Sequence, residues 1–96
     1  MSAIEDVAAE RKRQIESEGW SPQHDSAHSL GEMARAAACY AIPRASSDFQ
    51  VMVGLLWPWD RKWWKPKDRR RDLVRAAALI VAEIDRLDRL QTSKAA

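Results

Sequence analysis

Residues 57–67 read Trp57-Pro58-Trp59-Asp60-Arg61-Lys62-Trp63-Trp64-Lys65-Pro66-Lys67 and hold four of the five tryptophans of this 96-residue chain. A flat indole face beside ammonium and guanidinium groups is the surface that a nucleobase with phosphates requires. Stacking contributes roughly 1–3 kcal/mol per base, and the cations take the phosphate oxygens. Trp63 and Trp64 are adjacent, so their side chains point in different directions, and basic residues flank them on both sides. Trp57 and Trp59 follow Leu55-Leu56 and serve as well as structural staples, because a buried indole covers a large area. Lys65 and Lys67, with Arg70 and Arg71 beyond them, are the cations placed to meet an anion. A helix starting at residue 69 would add free amides and a positive dipole end, although Asp68 as N-cap competes for those amides. Three consecutive arginines on a helix, about 100° apart, cannot all reach one ligand.

A second cluster is Trp20, His24, Asp25 and His28. Two histidines four apart beside an aspartate resemble a metal pair on a helix, but Pro22 and the polar composition predict a loop, and no third or fourth ligand is evident. The expected roles are loop-capping hydrogen bonds or a polar wall that donates to ribose or phosphate oxygens. Arg11 and Gln14, with Glu10, lie on faces of the first helix that can approach this loop. No nucleophile motif, glycine-rich phosphate loop, zinc-finger spacing or histidine–carboxylate triad is present. Asp85 and Asp88 form one acidic pair of the kind that holds Mg²⁺ in all-α nucleotide pyrophosphohydrolases, but the mate of that pair is missing. No catalytic residue, metal or cofactor is therefore expected. Cys39, the single cysteine, sits among alanines and reads as a small buried apolar residue.

These residues need elements to hold them. Ser2 and Glu5 form a capping box for a first helix running to about Glu18, with Ile4, Val7, Ala8, Arg11 and Ile15 on its inner stripe and Gly19 closing it. Ser29 and Glu32 look like a second capping box. The helix that follows runs to about Ala41 with Leu30, Met33, Ala34, Ala37, Ala38 and Ala41 inside, and ends before Pro43. Residues 49–53 alternate like a strand, but a lone strand has no partner, so a short helix capped by Ser46 or Ser47 is expected. The tryptophan segment, with two prolines, is an irregular connector. A last long helix runs from Asp68 to about Leu90, with a frayed tail over 91–96. On it Leu73, Ala77, Ile80, Ile84 and Leu87 recur at spacings of 4, 3, 4 and 3, a seam for a partner helix. The fold class expected is all-α: one domain over 1–96, a small bundle of three main helices around a Trp/Pro-rich connector. A domain of this size sits near the stability threshold, and small chains recover stability and build pockets by oligomerising.

The formal net charge is +2, but its distribution says more. Residues 1–40 hold seven acidic and four basic side chains, whereas residues 61–75 hold eight basic ones against Asp68 and Asp72. An acidic first half and a small net charge argue against a broad nucleic-acid footprint. The acidic start and the lack of an apolar run near 18 residues predict neither a secretory leader nor a membrane span, so the cytoplasm is the expected compartment.

The pattern Glu10-Arg11-x-x-Gln14-Ile15, Glu18-Gly19-Trp20, His24-Asp25-x-x-His28, Trp57-Pro58-Trp59-Asp60, Trp64-Lys65-Pro66-x-Asp68, Arg71-Asp72-Leu73-Val74 and Ala82-Glu83-Ile84-x-Arg86-Leu87-Asp88-Arg89 resembles a family of small phage and prophage proteins. The resemblance spans nearly the whole chain except residues 43–56. It implies a phage accessory protein acting in the host bacterial cytoplasm, and small phage proteins without catalytic motifs often counter host defence. With the aromatic and basic segment, the expectation is a homo-oligomeric binder that sequesters a nucleotide-derived immune signal, a cyclic dinucleotide or a cyclic ADP-ribose-like molecule, without cleaving it. A protein–protein inhibitor of a host factor and a nucleotide hydrolase are the alternatives.

Overall fold

A computed structural model describes residues 2–19 and 22–95, with the side chains of residues 22, 24 and 93–95 outside the description. The described chain is all-helical. It comprises α1 (Ala3–Glu18), α2 (Pro22–Ser26), α3 (Glu32–Ala41), α4 (Phe49–Leu56), a 3₁₀ turn (Arg61–Trp63) and α5 (Arg69–Ala95). Both α1 and α3 pack on α5, while α2 leans on α5 and α4 on α3.

The predicted start and stop of α1 are in place. The Ser2 hydroxyl accepts from the Glu5 amide, the Glu5 carboxylate accepts from the Ser2 amide, and Gly19 takes the left-handed conformation at φ 72°. Its inner face differs from the predicted stripe. Ile4 is 83% exposed and Ala8 is exposed; Arg11 is buried as expected, but so are Glu10 and Gln14 beside it. The partner surface explains this, because α5 presents Arg71 and Arg75 to α1, and buried polar groups persist where they find partners.

Residues 22–26 form a short helix where a loop is expected. Proline is tolerated at a first helical position because no amide hydrogen is needed there. The expected capping box at Ser29 is replaced as well. Gly31 stands at the N-cap with φ 82° and no side-chain cap, and the Glu32 carboxylate accepts from the Leu30 amide at 2.7 Å. Starting at Glu32 turns the helix, so Leu30 is 84% exposed, Ala34 is exposed, and Met33, Ala36, Ala37 and Tyr40 face inward. That i, i+3, i+4, i+7 set buries the two largest side chains together. With Ala76, Leu79 and Ala82 of α5 they form the core, against which Trp57, Trp59 and Trp64 pack. Ala36 and Ala37 against Ala76 and Ala82 let the two helices approach closely.

Residues 49–56 form the predicted short helix, following Asp48 rather than a serine cap. Arg35 donates to the last carbonyls of α4, at Leu55 (2.8 Å) and Leu56 (3.1 Å), which satisfies orphan acceptors at a negative dipole end. The connector is irregular as expected, and Asp68 caps α5 by accepting from the Arg71 amide at 3.0 Å. Helix α5 then continues to Ala95, beyond the fraying point expected after Gln91. Its seam residues Leu73, Ile80, Ile84 and Leu87 lie between 42% and 50% exposed, and no helix of this chain covers them among the described residues.

Candidate functional site

The connector sorts its four tryptophans into two kinds. Trp57, Trp59 and Trp64 belong to one ring cluster with Tyr40. The Trp64 centroid lies 4.7 Å from Tyr40 and 4.9 Å from Trp57, Trp57 lies 5.5 Å from Trp59, and Trp59 lies 5.3 Å from His28. Phe49 reaches Trp64 from α4 at 6.4 Å. Edge-on and tilted contacts of this kind stabilise beyond the area they bury. Trp64 therefore spends its ring faces on the protein itself.

Trp63 is different. It is 44% exposed and makes no ring contact among the described residues. The Nζ atoms of Lys62 and Lys65 each lie 5.5 Å from its ring centroid, within cation–π range. The 3₁₀ turn sets this arrangement: the Asp60 carboxylate accepts from the Lys62 amide at 2.9 Å, and the Trp57 indole donates to the Asp60 carbonyl at 3.1 Å. Pro58 and Pro66 keep the segment out of regular helix. Among the described residues no ion pair involves Arg61, Lys62, Lys65, Lys67 or Arg69. The exposed indole thus sits beside two ammonium groups that form no ion pair among the described residues.

Behind Trp63 a narrow cleft of about 10 Å³ opens between α1 and α5, lined by Glu10, Arg13, Gln14, Tyr40, Lys65 and Arg75 among others. Glu10 lies at its base. Its carboxylate accepts from Arg13 Nε and Nη2 at 2.8 Å each, from Gln14 Nε2 at 3.2 Å and from Arg71. Burial alone raises the pKa of this carboxyl, but Arg13, Arg71 and Arg75 outweigh it and hold the group below its ordinary value. Two buried atoms of residues lining this cleft have no hydrogen-bond partner among the described residues: Gln14 Oε1, an acceptor, and Arg75 Nε, a donor. Their complement is a group that both donates and accepts, such as a hydroxyl. The Tyr40 pKa is raised by burial, so the phenol stays protonated.

The structure brings three of the expected site residues to one place: Gln14, Trp63 and Lys65. Others it employs elsewhere. Arg70 pairs with Asp6 at 2.7 Å and Arg71 with Glu10, so both tie α5 to α1. Arg11 and Asp25 form a buried pair at 2.6 Å that fixes α2 on α1. His28 packs on Trp59, with Nδ1 3.6 Å from the Glu32 carboxylate. Lys67 donates its backbone amide to Asp72 at 2.6 Å and leaves its side chain exposed. Trp20 lies outside the described residues, as does the His24 side chain. Sequence reasoning did not single out Arg13, Tyr40 and Arg75 as site residues. A signal was available in the spacing of Glu10, Arg13 and Gln14 and of Arg71 and Arg75, i, i+3 or i, i+4 sets of polar residues that face one another.

Among the described residues no three His, Cys, Asp or Glu side chains gather to hold a metal ion. Among them, too, no helix is long and apolar enough to cross a membrane. Comparison with protein-family models, with curated proteins and with solved structures gave no match.

Proposed function

We propose that this chain binds and sequesters an anionic, aromatic ligand of nucleotide type without cleaving it, and that the binding surface is centred on Trp63. The observation that carries the reading is the half-exposed indole of Trp63, with two ammonium groups 5.5 Å from its centroid and, among the described residues, no carboxylate paired to them. A base replaces the lysines on the ring face and stacks there, while Lys62 and Lys65 turn to the phosphates. The cleft behind admits no more than a water-sized group, so the ligand's bulk lies on the outer face of Trp63. No side chain in this surface is arranged as a nucleophile with its base, which favours holding over cleaving. The resemblance to small phage proteins supports reading such a binder as an anti-defence protein that removes a nucleotide immune signal in the bacterial cytoplasm.

The test is incubation with a panel of cyclic dinucleotides and cyclic ADP-ribose derivatives, followed by heat release and chromatography. One ligand should be depleted and then returned intact. Trp63→Ala should weaken its binding by about 5–150-fold, the equivalent of one lost stacking contact. A ligand returned altered would replace this reading with a hydrolase. A panel left wholly undepleted, or full affinity in Trp63→Ala, would overturn it.

A further inference from the structure

Helix α5 carries a second surface that the ligand reading does not use. At about 100° per residue, Leu73, Ala77, Ile80, Ile84 and Leu87 fall within a sector of roughly 80°. The core residues Leu79 and Ala82, and Arg75 of the cleft, lie on the far side of the same helix. The stripe thus faces away from the body of the protein, and the four large residues on it are about half exposed. Beside it Val81 leads into an apolar groove of about 510 Å³ whose other wall is Ile4 and Val7 of α1. With Val81 and, across that groove, Ile4, the stripe presents roughly 550 Å² of apolar surface, near the upper limit of what soluble monomers leave in water.

We infer that this surface is covered by a second copy of the same chain, with the two α5 helices antiparallel across a twofold axis between Ile80 and Ile84. Burying the stripe together with Val81 and Ile4 on both copies removes at most roughly 1,100 Å², just above the ~1,000 Å² that a specific interface needs. The 4, 3, 4, 3 spacing is that of helices packing knobs into holes, and one stripe serves both partners because a twofold interface is self-complementary. Residue sizes set the direction. Antiparallel pairing places Ile80 against Ile84 of the partner subunit and sets the small Ala77 against Leu87 of the partner subunit. Parallel pairing sets Ala77 against itself and leaves a void between two bulky layers, and it brings Glu83 towards Asp88 of the partner subunit, a like-charge contact. Antiparallel helix dipoles also attract. The Trp63 cleft stays open, since it lies on the opposite side of α5, and the dimer carries two such sites facing outward. This inference is independent of the ligand reading.

Sedimentation equilibrium on the full chain tests it. The wild type should sediment as a dimer at micromolar concentration. Ile80→Glu with Ile84→Glu should sediment as a monomer with an unchanged helical circular dichroism spectrum, because both side chains are on the surface. Mixing chains bearing Ala77→Cys with chains bearing Leu87→Cys, under oxidation, should give the mixed disulfide in excess. A wild-type monomer at 100-fold higher concentration would overturn the inference and leave the stripe to an amphipathic helix of another protein. A dimer that survives the double glutamate variant would overturn it too, and predominant Ala77→Cys self-crosslinking would overturn the antiparallel arrangement.

Discussion

Replacing Glu10 with glutamine tests the polar interface on which the α1–α5 packing depends. Glu10 is 1% exposed, and its two oxygens accept from Arg13, Gln14 and Arg71. Glu10→Gln keeps the shape, removes the charge and turns one acceptor into a donor facing arginine donors. Breaking a fully buried ion pair costs about 3–5 kcal/mol. The Arg13 and Arg71 side chains are about one third exposed and regain water, so the expected loss is smaller, about 2 kcal/mol. For a domain of this length that lowers Tm by about 8–16 °C. The loss also depends on pH. The folded-state pKa of Glu10 is depressed, so its contribution is fully present above the ordinary glutamate value and is lost as pH falls through the folded value. Thermal melts of both proteins, followed by circular dichroism from neutral pH into acid, should show a wide gap at neutrality that begins to close only once pH falls below the ordinary glutamate value. A gap that stays constant into acid, or no gap at neutrality, would refute the reasoning.

The other predictions follow from packing and backbone geometry. Trp64→Ala should cost about 2–4 kcal/mol, because its ring touches Tyr40, Trp57 and Phe49, whereas Trp63→Ala should cost under about 1 kcal/mol; urea titrations of the two variants measure the contrast. Gly19→Ala should lose about 1 kcal/mol although the added methyl meets nothing within 4 Å, since φ 72° disfavours any side chain, and a thermal melt reads it. Cys39 is buried and its thiol pKa is pushed up by that burial, so it should resist thiol reagents in the folded protein and react when denatured. Equal rates in both states would contradict its placement in α3.

Much of the fold is legible in the chain because the signals are local. The Ser2–Glu5 capping box, Gly19 after α1, Pro43 after α3 and Asp68 before α5 each act within a few residues, and each stands where the sequence places it. The all-helical class follows from the same composition. Which face of each helix turns inward was not legible, because that depends on what the neighbouring helix presents. Alanine is nearly neutral about burial, so an alanine-rich α3 could face inward along several stripes, and packing around Met33 and Tyr40 selected one. The polar face of α1 became interior because Arg71 and Arg75 of α5 meet Glu10 and Gln14, and Asp25 of α2 meets Arg11, across the fold.

The candidate site divides the same way. The chain alone shows that tryptophans and cations are concentrated over residues 57–67 and that two prolines forbid a regular helix there. Tertiary structure decided which tryptophan is available. Trp63 and Trp64 are chemically identical neighbours, and only the position of Tyr40 and Trp57 commits Trp64 to the ring cluster while Trp63 faces outward beneath two lysines. Ion pairs likewise bring Arg70 and Arg71 to the carboxylates of Asp6 and Glu10 on another helix. Composition, capping and proline placement act along the chain. Exposure and charge neutralisation arise between segments far apart in sequence and exist only once the helices have packed.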